Sequence, residues 1–295
     1  MRKRLSFLPT RTNSYKLLIP VLAGMLVFTG PVHTGWIAPV AHAATAAEKA
    51  AVTYKLVKQS ETIVTSGARQ ISYAWVPSSS SQATEMLHVL QIDLKNPYVH
   101  LNAMSGQKGS VTAGQSVSAM TKETGAVAGI NGDVFGTGGS NEGAPLGAQI
   151  NSGLLQVSTA KLKGMYAFAV TKDRIPLIDQ FSFVGNVVAE SGASFALEGI
   201  NKSAYRTEPD KGYSHSDSLY IYTSAWTAPE RPAASSATPT EALVVDGVVT
   251  EVSDGATIAT AIPANGYIVR GHWKKSSGNF IAANLTVGTR VVYNH

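Results

Sequence analysis

A chain of 295 residues that is 44% hydrophobic can bury a sizeable core, in one large domain or two small ones, which excludes a disordered protein. It contains no cysteine, so thiol catalysis, sulfur-bound zinc and disulfide stapling are excluded. The formal net charge is +5.

That charge resides in residues 1–43, which have the layout of a secretory signal peptide. Arg2, Lys3, Arg4, Arg11 and Lys16 precede an apolar run from Leu17 to Phe28, and Ala41-His42-Ala43 follows. The run is short for a membrane span and is interrupted by Pro20 and Gly24. Cleavage is expected after Ala43, with the membrane engaged only through this segment before cleavage. The segment holds five Lys and Arg and no Asp or Glu, so 19 basic residues remain against 19 acidic ones and the net charge falls to zero. No surplus positive field is left to attract nucleic acid, and none is expected as a partner.

Residues 44–84 are expected to supply lead-in strands, and 85–295 the main domain. Glu85 to Leu94 reads as a strand buried on both faces, joined through an Asn96-Pro97 turn to a half-exposed strand carrying Val99 and Leu101, as a hairpin. His88 and His100 read as polar members of these strands. With His215, His272 and His295 they lie too far apart for a short-range metal motif, so no metal site is expected and no cofactor is specified. Pro77 to Gln82 is a serine run read as a loop.

Thr112 to Glu123 is predicted helical, with Thr112 as N-cap. Ala126 to Ile130 reads as a short buried strand. It empties into a loop with glycines at 132, 136, 138, 139 and 143, which permit positive φ and close approach to a ligand, and with Asn131, Asp133 and Glu142. Further strands are predicted at 165–170, 175–179, 181–188, 194–197, 219–223, 243–246, 248–252, 267–270 and 290–293. Thr227 to Thr240, rich in Pro, Ala, Ser and Thr, reads as an excursion within the domain. The fold class is α+β: strand-rich mixed sheets with few helices, in a single catalytic-type domain after a signal peptide.

Nucleotide and hydrolase signatures fail on spacing. Gly106-Gln107-Lys108-Gly109-Ser110 lacks the Lys-Ser/Thr pair of a phosphate loop, glycines 136–143 lack the dinucleotide spacing, and no serine sits in a nucleophile elbow.

The segment GAVAGINGDVF followed by GAPLGAQINSG resembles the phosphodiester glycosidase family, whose vertebrate members remove N-acetylglucosamine from a sugar phosphodiester. The likeness continues through LHVLQIDLKNPYVHLNAM, INKSAYRTEPDKGYSHSDSLYIYTSAW, EALVVDGVVTEV, IPANGYIVRGHW and LTVGTRVVY. It implies a secreted hydrolase acting on a sugar-1-phosphodiester in envelope or extracellular polysaccharide, with a carbohydrate or sugar-phosphate substrate. Family members continue past the point matching Val287 to His295 into Arg-Thr-Ala and Asp-Gly-Gly-Gly-Ser elements, so the resemblance implies a chain incomplete at its C-terminal end, with part of a site.

Cleavage at an anomeric carbon passes through an oxocarbenium-like state that needs a carboxylate to stabilise charge or activate water. Asp133 is the first catalytic candidate and Asn131 the second, holding a sugar hydroxyl or the aspartate. Gly132, Gly138 and Gly139 are candidate amide donors to phosphate oxygens, and Arg206 a bidentate phosphate ligand. Competing roles are turn capping for Asp133, a surface ion pair with Glu208 or Asp210 for Arg206, solvated loop for Glu142 and packing for Trp226 and Trp273. Two other functions fit these residues: a non-catalytic carbohydrate-binding or envelope-associated module, and a metal-dependent phosphodiesterase, for which Asp133 and Glu142 are few carboxylates.

Overall fold

A computed structural model describes residues 52–137, 143–162, 164–232 and 238–295. The signal-type segment, Gly138, Gly139 and Glu142 lie outside the described residues. The protein is 39% strand and 9% helix, the predicted α+β class with few helices.

The first three strands, β1 (Tyr54–Thr65), β2 (Ala68–Pro77) and β3 (Glu85–Ile92), form an antiparallel meander. On β2 only Ile71 and Ala74 are buried, one on each face, and β3 is largely exposed, with Met86 at 54% and Val89 at 41%. The expected two-sided burial of this strand is therefore corrected: β3 pairs with β2 alone, in a sheet that stands apart from the main core. The expected hairpin partner at Val99 and Leu101 does not form. The Asn96-Pro97 turn is present, with Val99 N–H donating to Asn96 O at 3.1 Å, but the chain beyond it has no strand partner among the described residues.

Helix α1 spans Val117–Thr124 and starts five residues later than predicted. Its cap is Ser116, whose Oγ accepts from Ala119 N–H at 3.2 Å, and it stops at Gly125 in the left-handed conformation (φ 70°). Thr112 is instead buried, its hydroxyl accepting from Thr227 N–H and Ala228 N–H. The predicted strand at Ala126 to Ile130 is also corrected. It is not in a sheet, and Val127 and Ile130 are 69% and 75% exposed. An apolar run becomes a strand only when a neighbour takes its backbone hydrogen bonds, and none does so among the described residues.

Two short hairpins follow, β4 (Gln149–Asn151) with β5 (Leu154–Val157), and β6 (Ala167–Val170) with β7 (Pro176–Asp179). The remaining strands are β8 (Gly185–Ala189), β9 (Ser194–Ile200), β10 (Leu219–Thr223), β11 (Pro239–Val245), β12 (Val248–Asp254), β13 (Gly266–His272) and β14 (Val291–Asn294). They make one sheet in the order β12-β11-β13-β10-β9-β8-β14. Only β9 and β10 pair in parallel.

This sheet curls until its two edges touch. Val249 N–H donates to Thr289 O at 2.9 Å, Gly288 N–H to Val249 O at 2.8 Å and Val291 N–H to Gly247 O at 2.9 Å. Helix α2 (Ser276–Asn284), absent from the sequence prediction, places Phe280 and Ile281 in the principal core with Val187, Ile221, Val244 and Val269. Strand β10 divides its residues between two cores, as the two-residue period of a strand dictates. Leu219 and Ile221 enter the principal core, whereas Tyr220 and Tyr222 enter a second one with Val111, Ala144, Val157 and Trp226. The loops carrying the candidate site pack on this second core.

Candidate functional site

Asp133 opens a hairpin-like loop. Leu146 N–H donates to Val134 O at 2.9 Å, Phe135 bridges to Pro145, and Gly136 N–H donates to Ala144 O at 3.1 Å. The Asp133 carboxylate clasps the base of this loop with both oxygens: Oδ1 accepts from Val134 N–H at 2.7 Å and Oδ2 from Gly147 N–H at 2.6 Å. A Cβ at position 147 would lie 2.8 Å from Oδ2, so only glycine lets the backbone come this close. Asp133 is exposed, and each oxygen keeps a further lone pair for a ligand.

On the other side of the Leu146–Gly147 peptide lies Lys202, only 1% exposed. Its Nζ donates to Leu146 O at 2.6 Å and to Pro145 O at 3.2 Å. Leu146 O and Gly147 N–H belong to one peptide group, so a buried ammonium and an exposed carboxylate hold its two ends. Burial pushes the Lys202 ammonium down to about 8, and the negative charge of Asp133 partly opposes that shift.

Lys202 begins the connection from β9 to the parallel strand β10. Asn201 makes the turn in the left-handed conformation (φ 49°), which its short polar side chain tolerates. Its amide Nδ2 donates to Gln156 O and Thr223 Oγ1, both at 2.8 Å, and its Oδ1 accepts from Thr223 N–H at 2.9 Å. Gly199 leaves room for the lysine stem, since a Cβ there would stand 2.9 Å from Lys202 Cγ.

Beneath Lys202 the polar groups continue inward. Tyr222 Oη donates to Lys202 O at 2.9 Å and lies 2.9 Å from His215 Nε2, and His215 Nδ1 lies 2.8 Å from Ser214 Oγ. With the tyrosine proton committed to Lys202 O, Nε2 is the donor to Tyr222, and in a neutral imidazole Nδ1 accepts from Ser214 Oγ. Burial, followed by the positive charge of Arg270, pushes His215 down to about 3. Its ring stacks on Tyr220 with centroids 3.8 Å apart.

The other predicted site residues within the described part of the chain do not join this arrangement. Asn131 is exposed and makes no side-chain hydrogen bond among the described residues. Gly132 is exposed, lacks the positive φ expected of it and has open space around it; Gly143 does take φ 91°, against Gly114. Arg206 lies over the Tyr213 ring, 4.9 Å from its centroid, and donates to Tyr213 Oη at 3.1 Å and Lys211 O at 3.4 Å; it pairs with neither Glu208 nor Asp210. Among the described residues, no three His, Asp or Glu side chains converge as a metal site. Trp226 is core, edge-on to Tyr222. Sequence reasoning missed Lys202, Tyr222 and His215. The one available signal was Asn-Lys at the end of an apolar strand, where a lysine has no reason to be buried unless it has partners.

No family profile and no curated protein matches this chain. Solved structures that share the fold include the following two. One is a hypothetical protein from Synechocystis, with a TM-score of 0.61 and 18% identity over 82% of this chain. The other is a candidate exported protein of Burkholderia pseudomallei K96243, with a TM-score of 0.62 and 16% identity over 83% of this chain. The chain spans 45% of the length of the first and 68% of the second. At these identities the likeness concerns the fold alone.

Proposed function

We propose that this protein is a secreted phosphodiester glycosidase, hydrolysing a sugar-1-phosphodiester of the N-acetylglucosamine-1-phosphodiester type in envelope or extracellular polysaccharide. The observation that carries the reading is the Asp133 carboxylate, exposed yet fixed by two backbone N–H groups at the mouth of a loop. Asp133 orients a water molecule or faces the developing positive charge at the anomeric carbon. The water oxygen bonds to that carbon, the carbon–oxygen bond to phosphate breaks, and the phosphate monoester departs while the water proton passes to Asp133 or solvent. Preorganisation by backbone donors avoids reorganisation as charge develops.

The clasp also favours a second reading. A carboxylate that closes a loop has a structural task, so a non-catalytic carbohydrate-binding module is the alternative. Incubation with a synthetic N-acetylglucosamine-1-phosphodiester separates these readings. The glycosidase yields free reducing sugar and a phosphate monoester, a phosphodiesterase yields sugar phosphate, and a binding module leaves the compound intact but bound. Neither turnover nor binding would overturn both principal readings.

Secretion rests on the residues of the signal-type segment, and the fold shared with a candidate exported protein agrees with it. N-terminal sequencing of the exported product should give a start near Ala44. A product beginning before Leu17 would overturn the signal assignment.

A further inference from the structure

We propose that Lys202 is the positioning residue of Asp133, acting through the single peptide group that joins Leu146 to Gly147. The inference rests on reading Asp133 as the working carboxylate. Three observations carry it. Lys202 Nζ spends two of its three donors on the loop, at Pro145 O and Leu146 O. The peptide so gripped presents its N–H to Asp133 Oδ2 at 2.6 Å. The lysine is itself held from behind, by Tyr222 Oη on its carbonyl and by the space that Gly199 leaves for its stem.

An ammonium on a carbonyl oxygen and a carboxylate on the N–H of the same peptide polarise that group in the same sense. Each strengthens the other's hydrogen bond, and the low dielectric around Lys202 enlarges the effect. The loop is thus locked by a charge-assisted chain running from β9 to the site, and Asp133 takes its orientation from the far side of the backbone. The groups around the ammonium come from three elements: Asp133 from the loop, His215 from the β9–β10 connection and Tyr222 from β10. His215 and Tyr222 stay neutral around neutrality, because burial pushes the histidine down and the phenol up. Across mildly alkaline pH the charge that changes is that of Lys202, whose ammonium burial brings to about 8.

The test compares Lys202→Met and Lys202→Arg with wild type by hydrogen exchange and by hydrolysis of the synthetic phosphodiester. In Lys202→Met the Gly147 amide should exchange about tenfold faster relative to the Ile221 and Val269 amides, as expected for loss of roughly one hydrogen bond's worth of protection. Lys202→Arg, which keeps the charge, should restore part of that protection. Hydrolysis by Lys202→Met should fall in kcat with KM little changed, and the wild-type alkaline limb near pH 8 should move up in Lys202→Arg. If Lys202→Met does not fold, wild type alone decides: Gly147 protection, corrected for intrinsic base catalysis, should fall between pH 7 and 9 while the core amides hold. Unchanged Gly147 exchange in a folded Lys202→Met, or flat protection across that range, overturns the proposal. Because exchange needs no substrate, loosened Gly147 without any hydrolysis would overturn the glycosidase reading and leave the positioning role standing. Hydrolysis with Gly147 unaffected would do the reverse.

Discussion

Two buried bases make the stability of this protein rise with pH, in two separate windows. His215 has a folded value of about 3, below its ordinary 6.5, so the unfolded chain binds the proton more tightly. Its contribution is complete above 6.5 and declines as pH falls from there towards 3, by several kcal/mol over the window. Urea denaturation should show stability falling between pH 6.5 and 4, with a shallower slope in His215→Phe. Lys202 also has a lowered folded value, about 8 against 10.5, so its positive charge is a burden at neutral pH that is relieved as pH rises between those values. Stability should gain up to about 3 kcal/mol over that window in wild type and stay flat in Lys202→Met. Gly147→Ala belongs to the same scale. Its methyl would meet Asp133 Oδ2 at 2.8 Å, so hydrolysis should fall by at least about tenfold while the melting temperature moves little. A rate near wild type would show that the carboxylate is not held for chemistry.

Among the elements, strands β11 and β13 share a buried charge cluster with Arg231 of the β10–β11 connection. Arg231 Nε donates to Glu241 Oε1 at 2.8 Å and its NH2 to Oε2 at 2.7 Å, while Arg270 NH1 donates to Oε1 at 2.5 Å. All three side chains are nearly inaccessible. Glu241→Gln would leave two guanidinium groups with no compensating charge, and should cost about 3–5 kcal/mol by denaturant titration. The strands from 185 onward are legible in the sequence because their apolar residues are packed by both sheet neighbours and α2. At 126–130 and on β3 the same apolar pattern misleads, since nothing in the residues themselves says whether a neighbour will cover them. Helix α2 is hidden by Gly278 and two serines, and packing on β11 and β13 rather than intrinsic propensity sustains it. At the site, Asp133 stands out after Gly132 in a glycine-rich stretch, but Lys202 does not. Its role depends on a crossover that brings residue 202 against residues 145 and 146, a contact between segments far apart in sequence.

At the scale of the whole molecule, protection is expected to be uneven. The β1–β3 meander has little buried apolar surface, whereas β10, β11 and β13 are packed on both faces. Hydrogen exchange should therefore show residues 54–92 opening at a lower free energy than the curled sheet, and equal protection in the two regions would contradict this. The curling has its own consequence in time. Strand β14 must find β8, roughly a hundred residues earlier in the chain, and Gly247 must meet Val291 before the sheet's edges join. While the polypeptide emerges from the ribosome this seam has no second lip until Val291 to Asn294 has been made. Its closure is necessarily a late, long-range event, and the refolding of the protein should be correspondingly slow.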